Sequence, residues 1–170
     1  TFTDGGNVPL ALPTDQCFGD PGLDTDADGS WYLNQIYTRT LGNPGATAQQ
    51  NIGVHHGRFN GAGILIWDTP TMAAIGAGAG APIGSLDKCL LGVDRVTKNV
   101  YVAFSRLGIA VSQIEIVRST TLGLTWDPPI ILDATVVPTG SKQGARPFCG
   151  PAGEVYVVWE KGANTIFCAD

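Results

Sequence analysis

The sequence predicts an all-β protein assembled from repeated antiparallel hairpin units, and three observations carry that prediction. Its 170 residues hold 23 Gly and 11 Pro, and only 15% of them are charged. Few segments have the Ala, Leu, Glu and Lys content that a helical domain needs. A unit of short strand, polar or glycine turn and aromatic-bearing strand then recurs three times, with a second turn motif in alternation. The length allows one domain with a sizeable core.

The hairpins come first in the argument, because internal repeats decide a fold before local propensity does. Asp20-Pro21-Gly22-Leu23-Asp24 leads through Asp28-Gly29 into Trp31-Tyr32-Leu33. The second copy runs from Asp87-Lys88-Cys89-Leu90-Leu91-Gly92-Val93-Asp94 through Lys98-Asn99 into Val100-Tyr101-Val102-Ala103-Phe104. The third runs from Arg146-Pro147-Phe148-Cys149 through Ala152-Gly153 into Val155-Tyr156-Val157-Val158-Trp159. Each places a Tyr at the same point of the returning strand, which is the pattern of a β-hairpin.

The second motif is clearest in Arg118-Ser119-Thr120-Thr121-Leu122-Gly123-Leu124-Thr125-Trp126-Asp127. Arg58-Phe59-Asn60-Gly61-Ala62-Gly63-Ile64-Leu65-Ile66-Trp67-Asp68 has one residue more before its Trp, and Thr3-Asp4-Gly5-Gly6 lacks the Trp. Here the sequence resembles the Asp-box (BNR) repeat, Ser-x-Asp-x-Gly-x-Thr-Trp, of sialidases and their relatives. The resemblance implies β-propeller blades. Each would be a four-stranded antiparallel sheet, with the motif turning the third strand into the fourth and its Trp packing into the blade. Asp4, Gly6, Asn60, Gly63, Trp67, Ser119, Gly123, Thr125 and Trp126 would then be structural, with Asn60 and Thr121 standing in for the acid.

About three blades are expected, the last split between the termini: one over 19–85, one over 86–144, and a third from 145–170 completed by 1–18. Residues 8–12 would be the outer strand of the split blade. Three blades leave strand edges open, a liability in any sheet protein. The chain is therefore expected to be an excerpt of a longer propeller, or to pair head to tail with a second copy into six blades.

Asp24-Thr25-Asp26-Ala27-Asp28-Gly29 has the alternating carboxylates that wrap a hard cation, so Asp24, Asp26 and Asp28 are candidate calcium ligands. The competing reading is a solvated hairpin turn, since the other two hairpins carry no carboxylates at that turn. No cofactor is otherwise required. His55 and His56 are neighbours on a strand and face opposite ways, which argues for packing over chelation. Trp31, Trp67, Trp126 and Trp159 are expected in the core. Asp20, Asp87, Lys88 and Arg146 fall at the start of the first strand of each unit, which lines the channel of a propeller. They are the candidate ligand-binding residues.

A net charge of -5 argues against a nucleic-acid partner, and no run of apolar residues is long enough to span a membrane as a helix. Cys17, Cys89, Cys149 and Cys168 have no metal-ligand spacing; their even number favours disulfides in an extracellular or periplasmic protein. The resemblance also implies how a sialidase works: three arginines hold the sugar carboxylate, a Glu activates a Tyr nucleophile, and an Asp is the acid/base. None of these can be carried onto this chain by a matching motif. The expected role is a binding or scaffolding module towards a glycan or a protein. The alternatives are an exo-sialidase-type glycoside hydrolase and a structural subunit of a larger assembly.

Overall fold

The computed structural model describes residues 6–39, 49–77, 83–108, 112–134, 142–162 and 166–169. Those residues are all-β, in three antiparallel sheets. The first contains β1 (Gln16–Thr25), β2 (Trp31–Arg39), β3 (Gln49–Phe59), β4 (Leu65–Trp67) and β5 (Thr71–Ala74). The second contains β6 (Ile83–Val93), β7 (Val100–Gly108), β8 (Ser112–Ser119) and β9 (Ile130–Asp133), and the third β10 (Lys142–Cys149), β11 (Val155–Lys161) and β12 (Ile166–Ala169). Strands within each sheet pair in chain order, except that β4 and β5 both pair with β3 and so divide the outer edge between them. The three meanders are propeller-like.

The inner strands β1, β6 and β10 begin three residues earlier than the sequence units do, at Gln16, Ile83 and Lys142. Residues 6–15, part of which was expected to supply an outer strand, form none. Ala11 instead donates its N–H to the Tyr37 hydroxyl (2.7 Å), and Leu12 to Asp15 (3.1 Å), which ties the segment to the first sheet. Spacing gives the physical reason. Ile83 follows Gly63 by twenty residues and Lys142 follows Gly123 by nineteen, but Gln16 follows Gly6 by only ten. Ten residues cannot hold both an outer strand and the crossover to the next sheet. Gly6 does share the left-handed backbone of Gly63 and Gly123 (φ 79, 74 and 79), while Asp4 lies outside the described residues.

The middle sheet is buried on both faces, which is why 100–104 of β7 reads as an unbroken apolar run. Val100, Val102 and Phe104 face the first sheet and join a core with Tyr32, Ile52, Val54, Leu86 and Leu91. Ala103, Ile114 and Ile116 face the third and pack with Ala145, Val157 and Trp159. The fixed Tyr of each unit is cross-strand from the inner strand: Tyr32 opposite Asp24, Tyr101 opposite Gly92, Tyr156 opposite Phe148. Tyr32 is fully buried, Tyr101 half-buried and Tyr156 41% exposed, so the repeat is regular in register but not in cover.

The turns after β3 and β8 account for the second motif. The Asn60 side-chain oxygen accepts from the N–H groups of Ala62 (2.9 Å) and Ile64 (3.0 Å). At the other turn Ser119 Oγ accepts from Gly123 (2.9 Å) and Thr121 Oγ1 from Thr125 (2.9 Å), so two hydroxyls do what an acid would. Trp126 packs on the core between the first two sheets, and Trp67 lies across Gly57, where a Cβ would meet its ring at 2.5 Å.

Candidate functional site

The inner strands share one irregularity. Pairing breaks between Phe18 and Gly22, between Asp87 and Leu90, and between Gln143 and Arg146. At each break a residue turns left-handed: Asp20 (φ 47), Lys88 (φ 52) and Gly144 (φ 66). These three are equivalent when the strands are aligned on the turns that follow, where Asp26, Asp94 and Gly150 each donate an N–H across the turn. Only glycine adopts that backbone without strain, so the third repeat holds the unstrained version of a shape that two charged residues are forced into.

What fixes Asp20 and Lys88 in that shape is their mutual contact. The Lys88 N–H donates to Asp20 Oδ2 (3.1 Å) and to Asp87 Oδ1 (2.9 Å), and Lys88 Nζ lies 3.5 Å from Asp20 Oδ1. Burial raises the Asp87 pKa, as does the neighbouring Asp20 carboxyl; the Lys88 N–H and charge oppose them. The site is two acids beside an ammonium, half-open to solvent. Such a group can donate and accept hydrogen bonds at once.

Arg146 does not join them. It stands two residues past the equivalent break, with its guanidinium 5.1 Å from the Phe148 ring centroid. The sequence put Asp20, Asp87, Lys88 and Arg146 at one strand position; the structure makes Asp20 and Lys88 equivalent, Asp87 one earlier and Arg146 two later. The bulge is the reason, since it adds a residue that strand counting cannot see. Arg146 lines a cleft of about 480 Å³ between the inner strands, with Asp24, Asp94, Arg95 and Phe148.

The three aspartates of the first hairpin do not converge on one point. Asp24 accepts from the Val93 N–H (3.0 Å) and pairs with Arg95 (3.8 Å), which stitches β1 to β6. Asp26 is buried and accepts from the N–H groups of Asp28 and Ser30 (both 2.9 Å) and from the Tyr32 hydroxyl (3.0 Å). Desolvation works against its charge, but those bonds outweigh it and lower the pKa. Asp28 pairs with Lys98. Among the described residues no group of three or more His, Cys, Asp and Glu is placed to hold a metal ion. Asp94 caps the next hairpin as Asp26 caps the first, accepting from Val96 (2.8 Å) and Thr97 (3.2 Å), so the repeat conserves the turn.

Other polar partners had a faint signal or none in sequence. Asp68 and Asp127, each directly after a motif Trp, pair with Arg58 (2.7 Å) and Arg118 (2.8 Å); the recurring Arg and Trp-Asp could have revealed this. The His56 ring also meets the Asp68 carboxylate (3.1 Å), while buried His55 lies against Gln35 (2.8 Å) and the Asp68 carbonyl (3.2 Å). Burial lowers the His55 pKa. Arg106 forms a two-bond pair with buried Glu115 (2.7 and 3.0 Å), and Lys142 and Lys161 share Asp133 (2.9 and 3.1 Å). Arg39 lies 3.9 Å from Asp15, which accepts from the Tyr37 hydroxyl (2.8 Å); burial pushes that phenol up to about 12. Cys17, Cys89 and Cys149 are free thiols, and the Cys168 side chain lies outside the described residues, so the expected disulfide is not seen. Burial pushes the Cys89 thiol up to about 12 and keeps it unreactive.

No family model matches the chain, and no curated protein does. Among solved structures it is similar to the Hadza microbial sialidase Hz136, with a TM-score of 0.56 at 17% identity over 88% of this chain. It spans 34% of the length of that structure. The likeness shows a sialidase-like fold.

Proposed function

We propose that the chain is a run of three sialidase-type propeller blades acting outside the cytoplasm, and that its inner strands bind a glycan without cleaving it. The observation that carries this reading is the dispersal of the arginines. Of the six, Arg39, Arg58, Arg95, Arg106 and Arg118 each face a different carboxylate, and Arg146 rests on Phe148. A hydrolase of the type the resemblance implies needs three guanidiniums turned to one sugar carboxylate. Here five are paired with separate acids and the sixth rests on a ring, so no three converge.

The bulge supports a binding role. Asp20, Asp87 and Lys88 offer both donors and acceptors to sugar hydroxyls, and the strain at Asp20 and Lys88 is of the kind that collects at ligand sites. Phe148 in the adjoining cleft gives an apolar sugar face something to rest on. The test is a glycan array followed by calorimetry, using the chain and its Lys88→Gln and Asp20→Asn variants, beside an assay with a fluorogenic sialoside. Saturable glycan binding, weakened at least about tenfold in each variant (1.4 kcal/mol), with no turnover, is the expected result. Sialoside turnover lost in either variant would move the chain to the glycoside hydrolases. Failure of the unaltered chain to bind any glycan would sink the reading.

A further inference from the structure

Two of the three breaks in the inner strands are held from beneath by one side chain. Asp20 and Cys89 each lie inside a break, where no residue of the next strand stands opposite, so their carbonyls need a partner from elsewhere. Asn34 on β2 supplies it. Its Nδ2 donates to the Cys89 carbonyl (3.0 Å) and to the Asp20 carbonyl (3.5 Å). The Cys89 thiol joins them, accepting from the same amide (2.9 Å) and donating to the Asp20 carbonyl (3.6 Å). Asn34 and Cys89 are both fully buried. The carbonyls they grip belong to the left-handed Asp20 and to the residue directly after the left-handed Lys88.

The surroundings are cut to fit the amide. Gly22 stands opposite Asn34, and a Cβ there would lie 2.2 Å from Asn34 Oδ1. That oxygen is buried with no hydrogen-bond donor among the described residues, so the amide is kept at a cost and its value lies in the bonds it donates. The contact between the second and third sheets has no such amide. In register from Tyr101, Ala103 takes the place of Asn34, and Leu90 stands opposite it where the first sheet has Gly22. Counted from the left-handed residue of each strand, Ala145 takes the place of Cys89. Ala103 and Ala145 belong to one buried apolar cluster, and the left-handed residue beside them is Gly144, which needs no grip. Charged residues hold the left-handed shape where the amide is, and glycine holds it where the amide is missing.

We propose that Asn34 and Cys89 are positioning residues of the inner-strand site: by gripping the two carbonyls they hold Asp20 and Lys88 left-handed and keep the Asp20 carboxylate within reach of the Lys88 N–H. The inference rests on the glycan-binding reading and deepens it. Both side chains are covered, so they act on a ligand only through Asp20 and Lys88.

The test copies the second contact into the first. In the full chain, Asn34→Ala with Cys89→Ala reproduces the Ala103 and Ala145 pair, while Asn34→Leu keeps the volume of the amide and removes its donors; either variant serves if the other fails to fold. Amide exchange at Lys88 and Val102, the titration of the Asp87 carboxyl by NMR, and the urea midpoint are read in each. Exchange at Lys88 should rise at least about tenfold more than at Val102. The Asp87 pKa, raised by burial and by Asp20, should move back toward the ordinary carboxylate value. A purely structural role would raise exchange at both positions together. Cys89→Ser, which keeps a donor to the Asp20 carbonyl, should stay within about threefold of the unaltered chain at Lys88. Unchanged Lys88 exchange in a folded variant would overturn the proposal, and so would a rise matched at Val102. Affinity for the tightest glycan on the array is scored beside these readings, and Asn34→Leu should weaken it about tenfold. Unaltered affinity despite a freed Lys88 amide would overturn the positioning role. If the unaltered chain binds no glycan, the binding reading fails by itself, and Lys88 exchange still decides whether Asn34 and Cys89 hold the two residues.

Discussion

The contact between the first and second sheets and the contact between the second and third are built on the same register, yet they differ in depth. Among the described residues the first encloses fourteen buried apolar residues with Trp126 packed against them, and the second six, with Ile130 and Ile131 exposed. Strand count explains the gap better than residue type. Among the described residues, apolar side chains point into both interfaces from the two faces of the middle sheet, and the hairpin after β8 lies across the first. In a stacked-sheet repeat, cover comes from the neighbour as much as from the unit itself.

The largest expected effect is in the core of the two contacts. Phe104→Ala empties the sealed interface and should cost about 3–5 kcal/mol, whereas Val157→Ala in the shallower one should cost only about 1–2 kcal/mol. Urea midpoints at constant slope measure both. Equal losses would break the comparison, because they would mean that the second contact is as tightly packed as the first. A smaller effect concerns the seal itself. Thr71→Val leaves the Trp126 N–H and the Gly123 carbonyl without that hydroxyl and should cost about 1–3 kcal/mol. Ile130→Thr, the reciprocal change at the exposed start of β9, should shift stability by no more than about 0.5 kcal/mol.

The smallest effects are those of pH, and they carry opposite signs along the inner strands. Asp26 has its pKa lowered on folding, so its contribution is present above the ordinary carboxylate pKa and is lost as pH falls through the folded value. Asp87 has its pKa raised, so the folded state holds the extra proton; stability falls as pH rises from the ordinary value through the folded one. Asp26→Asn should therefore flatten the acid limb of a stability–pH curve, and Asp87→Asn should stabilise the chain at neutral pH while changing little at acid pH. The same sign for both variants would break the contrast between the two acids.

Much of the fold was legible because hairpins announce themselves locally. Tyr32, Tyr101 and Tyr156 recur in register, and the turns at Asn60 and Thr121 form where the motif implies. Residues 8–12 misled because a left-handed glycine and a few apolar residues look like a hairpin start wherever they fall; only the distance to β1 shows that there is no room. The candidate site was half legible. Asp20, Asp87 and Lys88 are where the sequence groups them, but Arg146 is set apart by a bulge that leaves no mark in residue type. The Asp24, Asp26 and Asp28 pattern suits a cation on spacing alone, and each carboxylate finds a different protein donor.

The sequence by itself determined the all-β class, the repeat and the two kinds of turn, because alternation, Gly placement and Asx or hydroxyl capping act within a few residues. Tertiary structure alone decided which charges meet, which Tyr is covered and where a cleft remains. Those depend on groups tens of residues apart being laid side by side by sheet stacking, and a one-residue bulge is enough to redirect them.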